Sequence, residues 1–277
     1  MNPEILSVNV SGIGLGHLGS WTLIGLSQLG VPELYLYDFD NVEDRNLSGT
    51  PYKSDNITKS KVEVLKSLIE ESNHETKFVQ AINKKVSKPD DLKELTNFYI
   101  ISTDDLKSRL EIFRAINSNH KKNKKEGFLI DMRSRAKISE VYVINLANEI
   151  SCYWYEKSIE TRLLDKTEPV HCNESNIIQN SYLASSITIQ SFSDILDGDL
   201  TTKYFRLSIE NCNISQVKVP LAEFQKEFRK MKLSEACDTC KKKHKTWKKL
   251  QSCKVKPSKV IKQSKNEGLA DRDAIFS

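Results

Sequence analysis

A glycine-rich turn near the start of the sequence restricts the fold more than any other feature. The run GLGHLG, residues 14–19, has GxGxxG spacing and stands between a predicted strand and a predicted helix. Glycines at these positions let backbone N–H groups approach a phosphate at the positive end of the helix. Asp38 follows at the end of the next predicted strand, where a carboxylate can accept hydrogen bonds from ribose hydroxyls. The pattern predicts a nucleotide site and leaves NAD, FAD and ATP as alternatives.

Strand and helix signals alternate through the first half of the chain. Runs of β-forming residues are separated by segments with apolar residues at helical spacing, which predicts parallel strands joined by helices. The predicted strands are residues 5–10, 33–37, 77–82, 98–102 and 128–130, and the predicted helices are 16–29, 58–73, 91–95 and 105–117. We therefore predict an α/β fold with a Rossmann-like, doubly wound and mostly parallel sheet.

The pattern changes after residue 131, where strands follow one another without helices between them. The predicted strands in this half are residues 140–146, 150–155, 204–209 and 214–219, the predicted loop is 157–172, and the predicted helices are 177–196 and 221–232. The first two strands are expected to pair antiparallel and to extend the sheet. The helix over 177–196 is largely apolar, which indicates burial or a subunit contact.

The C-terminal tail, residues 236–277, is strongly basic. It holds eleven lysines and one arginine against four acidic residues, a net +8 that leaves −3 on the rest of a chain whose total is +5. A solubilising role and an acidic partner are the alternatives for the tail, and its two aromatic residues are too few for a base-stacking platform. We predict one domain over 1–235, with the nucleotide site in 1–135 and a crossover loop and partner region in 136–235.

Composition excludes several classes of protein. At 38% hydrophobic and 29% charged residues, the chain is of the globular type, neither disordered nor collagen-like. It has no run of apolar residues long enough for a membrane span and no basic leader with a cleavage site, so we predict a cytoplasmic location. Six cysteines in such a chain are better explained as metal ligands, a reactive thiol or buried residues than as a disulfide scaffold.

Four motifs in the first 110 residues resemble those of the ThiF/MoeB/ubiquitin-activating family of adenylyltransferases. The glycine turn is similar to the family's GxGGLGS, with His17 in place of a glycine. The run LYDFDNVEDRNL, residues 36–47, resembles its DxDxVxxxNL signature, and Lys61 opens the next helix as the family's lysine does. Residues 102–109, STDDLKSR, are similar to its CTDNxxxR element. The motifs keep the family's order and nearly its spacing, so the resemblance is specific.

The resemblance implies a function and a set of site residues. The implied reaction is ATP-dependent adenylylation of the C-terminal carboxylate of a ubiquitin-like or sulfur-carrier protein by a homodimer. The lack of an apolar span and the few aromatic residues of the tail predict neither a membrane nor a nucleic-acid partner. Adenylylation needs a phosphate cradle, a ribose anchor, a cation and a carboxylate that holds Mg²⁺. The residues implied at the nucleotide are Gly14, Gly16, Gly19, Asp38, Asp40, Asn46, Lys61 and Arg109, and those implied in catalysis are Lys61 and Asp104, with Asp104 as the Mg²⁺ ligand.

Several of these side chains also have an ordinary structural interpretation. Lys61 could be a solvated charge on its helix, and Asp104 could only cap the helix that follows it. Arg109 could belong to a surface pair one helical turn apart, and Asn46 could be a turn residue. The family spacing favours the functional interpretation for Lys61 and Asp104, and both interpretations stay open for Arg109 and Asn46.

Position 49 departs from the family motif. The family continues NLxRQ, with an arginine that meets the ATP phosphates, whereas this chain has Gly49. Arg45 and Lys53 are nearby cations that match no motif. A nucleotide-binding scaffold without catalysis is therefore one alternative function. An NAD-dependent oxidoreductase is a second, although it has no use for Lys61 and Asp104 together, and a nucleic-acid-associated protein acting through the tail is a third.

Four cysteines are of chemical interest. The resemblance places Cys172 where some relatives use a cysteine for thioester or persulfide chemistry, and a thiol entering a helix favours the thiolate. The alternative for Cys172 is a buried or loop cysteine without chemistry. Cys237 and Cys240 form a CxxC pair with metal spacing, which makes structural Zn²⁺ an open alternative. Relatives often have a second pair, and Cys152 lies at the matching place with a tyrosine as the other member.

Overall fold

The computed structural model describes residues 7–72, 76–135, 138–164, 178–208 and 213–243, with the side chains of Arg135 and of 233–243 left out. These residues form eight β-strands and six α-helices. The strands are β1 (Asn9–Ile13), β2 (Glu33–Asp38), β3 (Phe78–Asn83), β4 (Phe98–Ile101), β5 (Phe128–Arg135), β6 (Ile138–Asn145), β7 (Lys203–Ser208) and β8 (Asn213–Val217). The helices are α1 (His17–Gln28), α2 (Lys61–Ser72), α3 (Leu106–Asn123), α4 (Glu149–Leu164), α5 (Ile178–Leu196) and α6 (Leu221–Lys243).

All eight strands lie in one sheet, in the order β3-β2-β1-β4-β5-β6-β7-β8. The strands from β3 to β5 run parallel, and β6, β7 and β8 add on antiparallel. The predicted doubly wound sheet extended by antiparallel strands is therefore confirmed. Because the strand order reverses between β1 and β4, a crevice opens at their carboxyl ends, which is where open α/β sheets bind ligands.

The sheet is buried on both faces because successive side chains of a strand point to opposite sides. One face packs against α1, α2 and α5 through residues such as Leu36, Ile100 and Phe192. The other packs against α3 and α4 through residues such as Tyr99 and Phe113. This double layer fixes the carboxyl ends of β1, β2 and β4 beside one another.

The segment predicted as a strand over residues 150–155 is instead part of α4, and that prediction was wrong. Its buried residues Cys152, Tyr155 and Ile159 are spaced three and four apart, so one helical face meets the core. The aromatic residues between them favour a strand by propensity, which hid the helical spacing. Strand β6 instead pairs antiparallel with β5 and β7, and the predicted loop is helical up to Leu164.

Other boundaries also differ from the sequence prediction: β1 lies at Asn9–Ile13 where 5–10 was predicted, and α3 and β5 continue past their predicted ends at 117 and 130. Two more differences lie in charged segments. The predicted helix over 91–95 is only a 3-10 turn at Pro89–Asp91, where the Asp91 carboxylate accepts hydrogen bonds from the N–H groups of Ser87 and Lys88. Helix α6 continues to Lys243, well past the predicted end at 232. Both differences arise where charged residues give a weak periodicity.

Two compact units divide the chain, Met1–Phe228 and Arg229–Ser277. The sheet and its packed helices belong to the first unit, and the structure describes residues 229–243 of the second as helix. Among the described helices, none has the length and apolar character that crossing a membrane requires.

Candidate nucleotide site

Two positions of the glycine turn that follows β1, Gly14 and Gly19, require glycine. Gly14 has a positive φ of 88°, and its N–H donates to the carbonyl of Tyr37 at 2.9 Å. A Cβ on Gly19 would lie 2.0 Å from the carbonyl oxygen of Gly14 and 2.4 Å from Oγ of Ser102. These contacts hold the start of α1 close against the ends of β1 and β4.

Gly16 has a different role because the space beside it is open. A Cβ at this position would meet no described atom within 4 Å, and no described side chain caps the N-terminus of α1. The first N–H groups of a helix lack partners within the helix, and a phosphate can supply them. The turn therefore has the geometry of a phosphate cradle.

Asp38 ties the second strand to the glycine turn. Its Oδ2 accepts a hydrogen bond from the N–H of Leu15 at 2.7 Å, and its Oδ1 accepts one from the N–H of Asp40 at 2.9 Å. Burial raises the pKa of Asp38 above its usual range. Each carboxylate oxygen still has a lone pair to offer, so Asp38 can anchor the turn and accept from a ribose at the same time.

Tyr52 is a site residue that the sequence analysis missed. Its hydroxyl donates to the carbonyl of Leu15 at 2.6 Å, and the side chain is buried beside the turn. Burial raises the pKa of Tyr52 well above its usual value, so the hydroxyl stays a donor. A tyrosine in an irregular loop carries no local pattern that could have identified it.

Lys61 is buried and paired, so its interpretation as a solvated helix charge is wrong. Its Nζ lies 3.0 Å from Oδ2 of Asp40, and its side chain is 9% exposed. The backbone N–H of Lys61 also donates to the carbonyl of Asp40 at 3.1 Å. An ammonium has three donors, so Lys61 keeps hydrogen-bonding capacity for a phosphate.

Asp104 does not cap α3, so that interpretation is also wrong. The cap is the neighbouring Asp105, whose Oδ1 accepts a hydrogen bond from the N–H of Ser108 at 2.8 Å. Asp104 is exposed just beyond the carboxyl end of β4, and no residue that the structure describes bonds to its carboxylate. The side chain is available for a ligand.

The donor set fits Mg²⁺ through Asp104. Among the described residues, no group of three or more His, Cys, Asp or Glu side chains could hold a metal by itself. Mg²⁺ is usually held by one or two carboxylates together with phosphates of the substrate and water. A single exposed carboxylate at the sheet edge matches that requirement.

Arg109 lies in a buried cluster, which excludes the surface pair considered from the sequence. Its guanidinium forms an ion pair with Asp131 and donates to the carbonyl of Thr103. Asp131 also accepts from Nε of Arg133 at 2.7 Å and from the hydroxyl of Tyr155 at 2.8 Å. Arg109 therefore supports the loop that carries Asp104.

In the loop after β2, side chains bond to other residues of the same loop. Oδ1 of Asn46 accepts from the N–H of Glu43 at 2.9 Å, which closes a turn as the structural interpretation of Asn46 expected. Arg45 pairs with Glu43 at 2.6 Å and its side chain is 79% exposed, and Lys53 is exposed as well.

Cys152 is a core residue of α4. Its side chain is 2% exposed, and its Sγ lies 3.6 Å from the carbonyl oxygen of Leu146. Cys172 lies outside the described residues, and so do the side chains of Cys237 and Cys240, whose backbone belongs to α6. The proposals for thiol chemistry and Zn²⁺ therefore rest on the sequence.

We expect the Cys152 thiol to be inert in the folded protein. Burial raises the pKa of Cys152 to about 12, so almost no thiolate exists near neutral pH, and the thiolate is the reactive form. Iodoacetamide followed by peptide mass spectrometry should modify Cys152 only after unfolding in guanidinium. Modification of Cys152 in the native protein at the rate of the unfolded chain would contradict its burial.

Comparison with solved structures identifies proteins that have a similar fold. Crystal structures of E. coli MccB with MccA-N7isoAsn and with ATP each superpose with a TM-score of 0.60 at 16% identity, over 78% of this chain and 66% and 65% of those chains. A crystal structure of PaaA gives a TM-score of 0.60 at 21% identity, over 78% of this chain and 74% of that one. The chain thus spans just under two thirds of the MccB chains.

At these identities the structural similarity shows a shared fold. No curated protein matches the sequence. The model of the ThiF family matches residues 3–242, which is most of the chain. The chain therefore belongs to the ThiF family.

Proposed function

We propose that this protein binds ATP at the glycine turn and adenylylates the C-terminal carboxylate of a peptide or small protein. The observation that carries the proposal is the meeting of separate motifs at one turn. Asp38 of the second motif bonds to Leu15, and Ser102 of the last motif donates to Gly14 at 2.6 Å. Residues far apart in sequence thus surround one open phosphate cradle.

Each side chain has a distinct part in the proposed reaction. The first turn of α1 receives phosphates, Asp38 accepts from the ribose, and Lys61 stabilises charge that develops on the α-phosphate. Attack of the substrate carboxylate oxygen on the α-phosphorus forms an acyl–phosphate bond, while the bond to pyrophosphate breaks and pyrophosphate leaves with its electrons. Mg²⁺ held by Asp104 would neutralise negative charge on the phosphates.

The choice of a peptide or small protein as the second substrate is supported by the family and by the MccB structures. MccB has been crystallised with ATP and with MccA. By analogy we propose a partner that presents a free carboxyl terminus. The finer proposals, which the sequence resemblance supports, are a ubiquitin-like or sulfur-carrier protein ending in glycine, a homodimer, and later transfer to Cys172.

The test is ATP–pyrophosphate exchange by the wild-type protein. Labelled pyrophosphate should enter ATP only when a suitable glycine-ended small protein or peptide is present, and ATP binding should be detectable by calorimetry. Binding of ATP without exchange across a broad panel of such partners would favour the scaffold alternative, which Gly49 motivates. Binding of NADH in place of ATP would contradict the proposal.

A pair of glycine variants separates the cradle from the fold. Gly16→Ala should leave stability nearly unchanged, because its φ of −77° suits alanine and its surroundings are open, yet it should weaken ATP binding by filling the cradle. Gly19→Ala should destabilise the protein by about 1–3 kcal/mol, because its Cβ would overlap Gly14 and Ser102. Urea unfolding and calorimetry measure the two effects, and a Gly16→Ala variant with wild-type ATP affinity would argue against a phosphate at the turn.

A further inference from the structure

Two of the positions at which the sequence departs from the family motifs, His17 and Gly49, are in contact with each other. Nε2 of His17, the residue that replaces a motif glycine, lies 2.7 Å from the carbonyl oxygen of Ser48. Beside it, a Cβ on Gly49 would lie only 2.8 Å from Cδ2 of His17. The imidazole therefore occupies the space that any larger residue at position 49 would need.

The contact fixes the chemistry of the imidazole. A carbonyl oxygen only accepts hydrogen bonds, so Nε2 must carry the proton that bonds to Ser48. Nδ1 then remains as the second polar atom, and no described residue bonds to it. In the protonated ring Nδ1 is also a donor, which is what an anionic ligand requires.

His17 itself lies beside the cradle. It is the first residue of α1, directly after Gly16, whose surroundings are open. Of the other cations nearby, Lys61 pairs with Asp40 and keeps donors for a phosphate, and Arg45 pairs with Glu43. Trp21 also binds the loop, donating from Nε1 to the carbonyl of Gly49 at 2.8 Å, so the loop does not depend on His17 alone.

We propose that His17 is a phosphate-binding residue of the nucleotide site, and that its imidazole, together with the positive φ, restricts position 49 to glycine. The inference rests on the proposed function and deepens it. In its protonated form His17 would supply, from the glycine turn, a cationic contact in place of the one that the motif arginine supplies from position 49.

The first experiment compares His17→Gln with Trp21→Phe. Glutamine can still donate to Ser48 but carries no charge, whereas Trp21→Phe removes the other bond between α1 and the loop and leaves His17 intact. We expect His17→Gln to weaken MgATP binding about tenfold, and adenosine binding to change less than about twofold, because a single charged hydrogen bond is lost. Trp21→Phe should bind MgATP within about threefold of wild type.

The outcomes of this experiment are distinct. Wild-type ATP affinity in His17→Gln would overturn the inference, and so would an equal loss for ATP and adenosine, which would mark a structural role. A loss in Trp21→Phe as large as in His17→Gln would show that holding the loop is what matters. Failure of the wild-type protein to bind ATP would instead overturn the proposed function, before any variant is compared.

A second experiment tests the packing with a double-mutant cycle of Gly49→Ala and His17→Ala. Gly49 has a φ of 85°, so alanine is strained there in either background and the strain cancels from the cycle. Gly49→Ala should raise the unfolding equilibrium constant about tenfold more when His17 is present than in the His17→Ala protein. Equal effects in both backgrounds would overturn the link between the two positions.

Discussion

Replacing Asp104 by asparagine should lower the rate of ATP–pyrophosphate exchange by about 10²–10³-fold, the usual effect of removing one group that stabilises transition-state charge. Asparagine keeps the shape of the side chain but loses the charge that a metal ion and its phosphates require. Because the Asp104 carboxylate is exposed and has no described partner, the free energy of unfolding should be unchanged. Exchange assays and urea unfolding measure the two quantities.

The neighbouring aspartate provides the matched control. Asp105 caps α3, so Asp105→Ala should lower the free energy of unfolding by about 0.5–2 kcal/mol while exchange stays within a few fold of wild type. Asp104→Asn should thus lose exchange activity, and Asp105→Ala should lose stability. If Asp104→Asn retained full exchange, or if both variants lost exchange equally, Asp104 would have no specific part in catalysis.

The glycine turn could be predicted from the sequence because its causes are local. A GxGxxG turn between a strand and a helix needs glycine at Gly14 for its positive φ and at Gly19 for close packing, and both requirements are met in the structure. The parallel pairing of β1 to β5 follows similarly from the alternation of strand and helix signals. These features depend on spacing, which a sequence displays directly.

Other parts of the site depend on contacts that a sequence does not display. Asp104 and Asp105 are both acceptable N-cap residues, and the helix begins so that Asp105 is the cap. The sequence does not show at which of the two residues the helix begins. Tyr52 reaches Leu15 across an irregular loop, and His17 meets Gly49 from another element. Asp131 lies in a strand with no motif, so its pairing with Arg109 appears only once β5 and α3 are packed.

Replacing Asp131 by asparagine should have the largest effect on stability, a loss of about 3–5 kcal/mol. The carboxylate is completely buried and faces two buried guanidinium groups, those of Arg109 and Arg133. Asparagine would leave both cations without a countercharge. Urea unfolding near neutral pH measures the loss, and Asp90→Asn, at an exposed position, should change stability by less than about 0.5 kcal/mol.

Arg109 and Arg133 also make the contribution of Asp131 to stability depend on pH. Burial alone would raise the pKa of Asp131, but Arg109 and Arg133 outweigh it and hold the pKa below its usual range. A depressed carboxyl pKa adds stability above the unfolded value of about 3.9, and that stability is lost as the pH falls through the folded value. Wild-type stability should therefore fall more steeply below about pH 4 than that of Asp131→Asn.

The stability loss expected for Asp131→Asn is large because Arg133 would lose its carboxylate partner. A second substitution, at Arg133, tests this cause. Its Nη1 and Nη2 atoms are buried with no hydrogen-bond partner among the described residues, and its guanidinium stacks 4.3 Å from the ring centre of Tyr142. That stacking cannot replace a carboxylate. Adding Arg133→Met to Asp131→Asn should recover part of the lost stability, because one unpaired buried cation is removed. A further loss in the double variant would mean that packing of the arginine, and not its charge, dominates at this position.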